Sequence, residues 1–520
     1  MKKIVALLLA VAVLFGCLGI PTVAEETPAE QNSIAEKICA MTDDTRVQSM
    51  VRGLYNGFKN NQPSVDLGDY HILIDDGDVY YDLLEQAIKL LKFYATDIYY
   101  VDFNSDFYAY VWQYSDHFEA GFVSGYEEGK SEAGDVVEFP YIYKGTARAS
   151  AEKIYRDGIK KIVNSVSGKG FSDLQKVVAV HDYIVSHFEY DSAGEIYDPV
   201  AFLRDGKGVC EAYTKVFYAV MEQLGISSYV ATDDPHQHSW NVVKLGNNYY
   251  HVDCTHDDVY YDKYGMVMKH DSFLLNDTVM VRHHQERFGL VGSSPCWTVL
   301  GANVSCNSSA YMDMPWNAGK SEYPITYCDG NWYIMIDDGV KEDYTGMQAS
   351  IYRLNANMTA KTLVTTVDSV PWEATNGNFW PSFYSGFFAI GDTLYWNTST
   401  GFWSYRPKTG VKQKVADWIY DRQVYGCRYE GKGVVSYITK APDKVNAEDQ
   451  TRYTYSLWKN GDVTGEGSID ANDLIGIRRQ LLSGGFLNTA ERCDLNGDNK
   501  TDIADLIHLK KYLIHQISVL

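Results

Sequence analysis

The spacing of apolar residues changes several times along the chain, and each change predicts a different kind of element. Apolar positions recur at helical intervals over residues 81–94, 147–163 and 173–188, which predicts three amphipathic helices. Residues 98–103 have instead the pattern of a strand. An apolar helix is also predicted over residues 215–224. The N-terminal part of the chain is therefore expected to combine helices with strands.

Residues 320–458 show a different pattern, in which short aromatic runs alternate with turns. The predicted strands pair as 331–335 with 351–354, 393–396 with 402–405, and 433–437 with 453–458. We expect three hairpin-like units in a β-rich domain, arranged as a hairpin repeat or as part of a propeller. The aromatic side chains are interpreted as β core and cross-strand pairs, with a sugar- or peptide-binding face as the alternative.

The chain begins with the three-part pattern of a secretory signal peptide. Lys2 and Lys3 precede an apolar run over residues 4–20, and residues 22–24 (Thr-Val-Ala) offer a small-x-small cleavage site. We therefore expect a secreted, extracellular protein, with lipid anchoring at Cys17 as the minor alternative. No later segment has the roughly 18 consecutive apolar residues that a membrane span needs.

The charged residues of the chain exclude some classes of binding partner. The 520 residues include 46 Lys and Arg against 68 Asp and Glu, a formal net charge of −22. This charge argues against nucleic acid and anionic membranes as partners, because both attract basic surfaces. The eight cysteines beyond residue 24 are scattered, so no disulfide scaffold is predicted, although Cys296 and Cys306 are close enough in sequence for a local bridge.

Two acidic loops near the end of the chain repeat one pattern of oxygen-bearing side chains. Their positions 1, 3, 5, 7, 9 and 12 are Asp462, Thr464, Glu466, Ser468, Asp470 and Asp473 in the first loop, and Asp494, Asn496, Asp498, Lys500, Asp502 and Asp505 in the second. Ca²⁺ takes several oxygen ligands at once, and position 7 contributes its backbone carbonyl. Each loop runs into a predicted helix, over residues 474–482 and 506–514. We therefore expect two Ca²⁺ ions, one in each loop.

The tandem over residues 460–518 resembles a type I dockerin, the calcium-dependent module that attaches cellulosomal proteins to a scaffoldin. The resemblance implies that the partner is a cohesin domain of a scaffoldin and that the protein is associated with a cellulosome. Thr464 and Glu466 stand where Asn and Asp are usual, which predicts weaker calcium binding in the first loop. The basic pairs 478–479 (Arg-Arg) and 510–511 (Lys-Lys) match between the two repeats, and the resemblance implies that they lie where dockerin helices meet cohesin.

A separate set of residues has the composition of an acyl-transfer site. Cys210 begins an apolar helix, whose positive N-terminal end lowers the pKa of a thiol. With a turn at residues 244–247, the following segment forms a hairpin in which His238 lies directly opposite Asp253. A carboxylate there orients the imidazole and stabilises its protonated form. Cys, His and Asp together suit acyl transfer through a thioester.

The motifs GVCEAY, HSWNVV and YYHVDCTHDD, which contain these three residues, resemble the transglutaminase-like superfamily with its papain-like core. The resemblance implies that Cys210 is the nucleophile, His238 the general base and acid, and Asp253 the residue that orients His238. Family members often carry an aromatic residue where this chain has His256, so the edge of the substrate cleft is expected to differ.

The sequence leaves several functions open. Hydrolysis by a peptidase or amidase is favoured, because bacterial proteins with this fold are commonly hydrolytic by resemblance. Amine transfer by a protein-crosslinking transglutaminase is the first alternative. A pseudoenzyme, or a non-catalytic subunit that binds carbohydrate or protein in polysaccharide breakdown, is the second. A glycan-degrading enzyme is the third, and no paired-carboxylate signature supports it.

A zinc site is a further alternative, because five potential ligands are crowded together in the sequence. They are His236, His238, His251, Cys254 and His256. Strand alternation argues against a common site, since it places His251 and Asp253 on one face and Cys254 and His256 on the other.

The predicted fold class is multidomain α+β. We place a signal peptide at 1–24, an α/β region at 25–169, a papain-like transglutaminase core at 170–300, a β-rich domain at 301–458 and a small all-α dockerin at 459–520.

Overall fold

The computed structural model describes residues 28–62, 64–66, 77–104, 107–113, 118–124, 141–258, 268–288, 296–317, 322–342, 345–374, 378–380, 382–417, 422–441, 450–464, 468–483, 490–496, 500–518 and 520. The expected signal peptide, Cys17, Glu466 and Asp498 lie outside the described residues. Within the described part of the chain, no helix combines the length and the apolar character that a membrane crossing demands.

The chain divides into two units, Met1–Ile142 and Tyr143–Leu520. The described part of the first unit contains helices α1 (Pro28–Cys39), α2 (Thr45–Lys59) and α3 (Gly77–Tyr94), and strands β1 (Ser64–Asp66), β2 (Phe107–Gln113) and β3 (Phe118–Ser124). The strands form an antiparallel sheet in the order β1-β3-β2. Helix α3 confirms the prediction for residues 81–94.

The strand predicted over residues 98–103 is wrong. Ile98 N–H donates to the carbonyl of Ala95, and Val101 N–H donates to the carbonyl of Ile98, so the backbone follows consecutive turns. Val101 makes only an isolated bridge to Tyr141. Ile98 and Val101 are buried all the same, which explains their apolar character. An apolar run of this length does not by itself distinguish a strand from buried turns.

The second unit begins with the helices that hold the candidate site. They are α4 (Thr146–Val166), α5 (Asp173–His187), α6 (Pro199–Asp205), α7 (Cys210–Gln223), α8 (Cys254–Asp257) and α9 (Asp277–Phe288). The predicted helices over 147–163, 173–188 and 215–224 are confirmed. Helix α5 starts at a capping box, in which the Ser172 side chain accepts from Gln175 N–H and the Gln175 side chain accepts from Ser172 N–H.

A five-stranded antiparallel sheet lies against these helices in the order β10-β6-β7-β8-β9. Its strands are β6 (Ser228–Asp233), β7 (His238–Leu245), β8 (Asn248–Val252), β9 (Phe273–Leu275) and β10 (Thr298–Leu300). A short parallel pair, β4 (Glu189–Tyr190) and β5 (Lys207–Gly208), precedes helix α7. Helices α4, α5 and α7 share one apolar core with the sheet, and Val216 and Phe217 of α7 are fully buried in it.

In the described residues that follow, three antiparallel meanders occur in chain order, and they confirm the predicted hairpin repeat. The first contains β11 (Thr326–Cys328), β12 (Asn331–Val340), β13 (Met347–Leu354) and β14 (Lys361–Ser369); the second contains β15 (Phe387–Ile390), β16 (Thr393–Asn397), β17 (Gly401–Arg406) and β18 (Val411–Asp417); the third contains β19 (Gln423–Gly431), β20 (Val434–Lys440) and β21 (Thr451–Ser456). Trp372, Trp396 and Tyr425 are buried in one cluster, as the core interpretation of the aromatic residues predicts.

The last described helices, α10 (Ala471–Ser483), α11 (Ala490–Cys493) and α12 (Ile503–Leu513), form a small helical module. Its core contains Val463, Ile477 and Leu509, all of which are buried. Both helices predicted after the acidic loops are confirmed, and each begins within three residues of its predicted start.

Candidate active site

Cys210 is the first residue of helix α7 and is buried. The residues before it set up this helix start. Gly206 ends helix α6 in the left-handed conformation at φ 75°. A Cβ on Gly208 would lie 2.6 Å from the Phe202 ring and 3.0 Å from Ala212 Cβ. Both glycines therefore have local structural roles. Cys210 lies at the start of the helix, where the unpaired backbone N–H groups point towards the position of a bound substrate.

His238 and Asp253 come together as predicted, but through a different strand register. The hairpin turns at Gly246 and Asn247, and Leu245 pairs with Asn248. The predicted turn is thus one residue too early, and the predicted direct pairing of His238 with Asp253 is wrong. Because the register differs by an even number of positions, both residues remain on the same face and meet as diagonal neighbours. His238 Nε2 lies 2.8 Å from Asp253 Oδ2.

The three groups shift one another's pKa in the directions that an ion pair requires. Burial lowers the pKa of His238, but the charge and hydrogen bond of Asp253, with a contribution from Cys210, outweigh it and raise the pKa to about 10. Burial raises the pKa of the Cys210 thiol, but its hydrogen bond with His238 outweighs this, so the net shift is downward. The pKa of Asp253 is held well below its usual range by His256 and His238, against the effect of burial. The arrangement favours a thiolate beside an imidazolium.

His256 completes the site in a way that the sequence did not predict. The chain leaves strand β8 after Val252, and Asp253 caps the short helix α8 by accepting from His256 N–H at 3.1 Å. His256 Nδ1 also lies 2.8 Å from Asp253 Oδ2, the oxygen that His238 uses. The His256 and His238 rings stack at 4.2 Å with an interplanar angle of 11°. The alternation argument fails for His256 because the strand ends at Val252 and His256 lies in helix α8.

A chain of buried hydrogen bonds begins at Trp240, the second aromatic ring beside His238. The Trp240 ring stacks near His238, at 5.4 Å between centroids, and its Nε1–H donates to His251 Nδ1 at 2.9 Å. His251 Nε2 therefore carries the proton and donates to Asp277 Oδ1 at 2.9 Å. This chain connects the HSWNVV motif to helix α9, and it gives His251 a structural role.

A second buried network of charged groups lies around helix α8. His181 Nδ1 is 2.8 Å from Asp182 Oδ1, and His181 Nε2 is 3.1 Å from Asp257 Oδ2. His270 Nε2 is 2.9 Å from the same Asp182 oxygen. Asp257 Oδ1 accepts from Ser272 N–H at 2.8 Å. Because Asp257 belongs to helix α8, the network fixes the helix that follows the candidate catalytic carboxylate.

The five potential zinc ligands that are crowded together in the sequence do not share one cluster. His238 and His256 lie with Asp253, whereas His251 lies with Asp277 and Cys306, and His236 lies with Asp233 and Cys296. Cys254 is a free, buried thiol whose pKa burial raises well above its usual value.

A bridge between Cys296 and Cys306 is absent from the described residues, where both thiols are free. Cys296 donates to Asp233 at 3.0 Å, and the Cys306 backbone N–H donates to Asp277 at 2.9 Å. The two thiols belong to different clusters, so the bridge that their spacing suggested is wrong.

The last carboxylate of each acidic loop lies at the centre of that loop. Asp473 is fully buried and accepts from the backbone N–H groups of Thr464 and Asp470, at 2.9 and 2.8 Å. Asp505 does the same in the second loop, accepting from Asn496 at 3.2 Å and Asp502 at 2.8 Å. The described residues offer hard oxygen donors around each buried carboxylate, which is a donor set that fits Ca²⁺.

Comparison with known families gives two matches. Residues 160–254 match the model of the transglutaminase-like superfamily, and residues 460–514 match the model of the type I dockerin domain. These matches confirm both resemblances and the multidomain fold class that combines them. Type I dockerin domains generally bind calcium, and the dockerin region includes both acidic loops.

Solved structures share only limited similarity with the chain. A protein described as a TGase is 18% identical, with 22% of this chain and 33% of that chain covered and a TM-score of 0.18. A proposed cysteine protease from Cytophaga hutchinsonii is 16% identical, with coverage of 29% and 62% and a TM-score of 0.18. A proposed protease from Parabacteroides distasonis ATCC 8503 is 9% identical, with coverage of 76% and 67% and a TM-score of 0.18. The chain spans less than two thirds of the first two proteins. A search among curated proteins finds no match.

Proposed function

We propose that this protein is a secreted, cellulosome-associated cysteine acyl-transfer enzyme that acts as a peptidase or amidase. The observation that carries the proposal is the grouping of Cys210, His238 and Asp253, with Cys210 at the start of a helix and His238 bonded to the buried carboxylate at 2.8 Å. The match of residues 160–254 to the transglutaminase-like superfamily supports the same class of chemistry.

In the first step, the Cys210 thiolate attacks the carbonyl carbon of a peptide or glutaminyl substrate. Nε2 of His238 is engaged by Asp253, so Nδ1 is the nitrogen available to Cys210 and to the leaving group. The developing oxyanion is stabilised by the positive end of helix α7, including the Cys210 backbone N–H. His238 then donates its proton to the leaving amine as the C–N bond breaks, and a thioester remains on Cys210.

In the second step, His238 accepts a proton from the nucleophile that resolves the thioester. If water attacks, the acid is released and the enzyme is a hydrolase; if a lysine amine attacks, the product is a crosslink. Asp253 stabilises the imidazolium in both steps without being protonated, because its own pKa is held well below the usual range. We propose hydrolysis as the main reaction.

The experiment runs peptide hydrolysis beside incorporation of a fluorescent amine into casein, with the full chain and with Cys210→Ala. We expect hydrolysis by the wild-type protein and its loss in Cys210→Ala. Cys328→Ala serves as the matched control, because it removes another buried thiol from the β-rich region and should keep activity. Equal activity in Cys210→Ala, or none in the wild-type protein, contradicts the proposal. Incorporation that exceeds hydrolysis identifies a crosslinking enzyme instead.

We also propose that the dockerin region attaches the enzyme to a scaffoldin cohesin through two calcium-filled loops. Asp462, Asp470 and Asp473 of the first loop, and Asp494, Asp502 and Asp505 of the second, would hold the ions with the remaining oxygen donors of the pattern. The match of residues 460–514 and the buried carboxylates Asp473 and Asp505 support this assignment. Binding to a cohesin should be lost in EDTA and restored by Ca²⁺; binding that persists in EDTA contradicts it.

A further inference from the structure

A second group of metal-ligating side chains lies one strand away from the candidate active site. Asp233 is the last residue of strand β6 and pairs directly with His238 of β7. His236 belongs to the short 3-10 turn that connects these strands, His284 lies on helix α9, and Cys296 precedes strand β10. Three separate segments of the chain thus bring carboxylate, imidazole and thiol groups to one place.

The ligand atoms of Asp233, His236 and Cys296 all lie within 4.8 Å of one another, and His284 is close to two of these three residues. Asp233 Oδ2 lies 2.8 Å from His236 Nδ1, 3.0 Å from Cys296 Sγ and 3.4 Å from His284 Nδ1. Cys296 Sγ lies 3.6 Å from His284 Nδ1. Ligands on a tetrahedral zinc ion are separated by about 3.3–3.7 Å, given Zn–N, Zn–O and Zn–S bonds of about 2.0–2.3 Å. Movements of about half an ångström at the two shortest contacts would admit the ion among Asp233, His236 and Cys296, and His284 would have to move towards His236 to take the fourth position.

The donor set also suits zinc in its chemistry and charge. One carboxylate and one thiolate neutralise a dication, which matters because Asp233 and His284 are almost completely buried. Asp233 Oδ1 is buried and has no hydrogen-bond partner among the described residues, so the carboxylate retains acceptor capacity. The His236 side chain is 22% exposed, which leaves a route for the ion from solvent. Nitrogen, sulfur and carboxylate oxygen are the usual protein ligands of zinc.

The other clusters that contain histidine differ from this one. Around Asp277, His251 uses both ring nitrogens in hydrogen bonds, to Trp240 and to Asp277. Around Asp182, one carboxylate oxygen contacts two histidines and the other accepts from Ile325 N–H at 2.5 Å. Those groups are already satisfied by one another. The cluster at Asp233 combines a carboxylate, an imidazole and a thiol with spare acceptor capacity on the carboxylate.

We propose that Asp233, His236 and Cys296 bind one zinc ion and that His284, which lies beside Asp233 and Cys296, moves in as the fourth ligand. The ion would connect helix α9 and the segment before β10 to the turn between β6 and β7. That turn ends at Gln237, a residue with φ 51° whose carbonyl lies 3.7 Å from Cys210 Sγ. The site is therefore a structural one that holds the backbone next to the nucleophile, and its ligands are separate from Cys210, His238 and Asp253.

The test replaces zinc with Co²⁺ in the full chain, in the presence of excess Ca²⁺ to fill the dockerin loops. A cobalt–thiolate bond gives a charge-transfer absorption in the near ultraviolet, and a tetrahedral site gives intense visible bands. We expect one equivalent of Co²⁺, with both signals lost in Cys296→Ser and retained in Cys210→Ala and Cys306→Ser. The last two variants remove the thiols of the two neighbouring clusters, so they are the matched controls.

A further variant distinguishes the loss of a metal ligand from a folding defect. His236→Ala changes a partly exposed turn residue, and it should lower the affinity for Co²⁺ by at least about 10-fold, the loss seen when even an outer-shell partner of a metal site is removed. Zinc should also raise the thermal unfolding midpoint of the wild-type protein but not of Cys296→Ser. No cobalt–thiolate signal in the wild-type protein, or a signal that depends on Cys210 or Cys306 instead of Cys296, overturns the proposal. These readouts do not depend on enzymatic activity.

Discussion

His256 lies flat against His238, with ring centroids 4.2 Å apart, and both rings contact the same oxygen of Asp253. The carboxylate is fully buried, so each hydrogen bond that it accepts offsets part of the cost of removing its charge from water. His256 therefore has two separable effects on the site, since it packs against the proposed general base and it shares the carboxylate that orients that base.

His256→Phe should separate these two effects, because phenylalanine keeps a ring against His238 and removes the hydrogen bond to Asp253. We expect a loss of about 1.5–3 kcal/mol in the free energy of unfolding, the usual contribution of a hydrogen bond to a charged group. Activity should fall much less than in Asp253→Asn, which removes the negative charge and should lower kcat by about 10⁴. Urea unfolding and peptide hydrolysis measure the two quantities. Equal losses of activity in both variants would show that His256 takes part in the chemistry itself.

Cys210 should be alkylated by iodoacetamide at a lower pH than six other thiols of the described residues. Its pKa lies below the ordinary thiol value because of His238, whereas burial raises the pKa of each thiol in the comparison set. That set is Cys39, Cys254, Cys296, Cys306, Cys328 and Cys427. A lower pKa means that the reactive thiolate persists as the pH falls.

His238→Ala is the matched variant for this measurement. It leaves Cys210 buried but removes the group that lowers the thiol pKa, so labelling of Cys210 should shift to higher pH. Mass spectrometry of peptides labelled between pH 5 and 9 gives the profile of each cysteine. Slow and uniform labelling of all thiols in the wild-type protein would argue against a thiolate at Cys210.

Much of the candidate site follows from local pattern, because it is built from adjacent elements. The helix start places Cys210, and a hairpin of alternating residues brings His238 and Asp253 to one face even when the turn is displaced by one residue. The sequence determines how side chains alternate between the two faces of the hairpin. Moving the turn by one residue leaves that alternation unchanged.

The remaining features depend on where the chain changes direction or on contacts between distant segments. Strand alternation predicts the wrong face for His256 because strand β8 ends at Val252 and a helix begins at Cys254. Asp233 and Cys296 are 63 residues apart, and no periodic pattern connects them. A signal for His256 was present in the departure from the aromatic residue usual in the family, but the residue type alone does not reveal that it shares Asp253.

The network around helix α8 should make a large contribution to stability. Asp182→Asn leaves His181 and His270 without their shared charge partner in a fully buried setting, and breaking such a pair costs about 3–5 kcal/mol. Asp173→Asn is the matched control on the same helix, because Asp173 is 63% exposed and forms a surface ion pair with Lys176. Its cost should be below about 1 kcal/mol. Urea unfolding at neutral pH compares the two variants.

The stabilisation from this network should also depend on pH in a defined window. His181 faces Asp182 and Asp257, and against the effect of burial these carboxylates raise its pKa from 6.5 to about 9. Its contribution is therefore full below pH 6.5 and is lost as the pH rises through 9. Burial would raise the pKa of Asp182, but His270 and His181 lower it from 3.8 to about 2, so that contribution is full above pH 3.8 and is lost towards pH 2. The difference between the wild-type protein and Asp182→Asn should be largest between about pH 4 and 6.5, and a constant difference across the pH range would contradict this account.

The second acidic loop allows a matched test of which groups hold calcium. Asp505 is buried and accepts from the N–H groups of Leu495, Asn496 and Asp502, so Asp505→Ala removes both an expected ligand and the centre of the loop. We expect calcium affinity at this loop to fall on the order of 10- to 100-fold or more, because affinity depends on the number of charged ligands. Lys500→Ala should leave it nearly unchanged, since only the backbone carbonyl of position 7 is an expected ligand. Calorimetric titration of the full chain with Ca²⁺, together with binding to a cohesin, checks both variants. An equal loss in the two variants would mean that the loop is sensitive to any change, and an unchanged affinity in Asp505→Ala would remove this carboxylate from the calcium site.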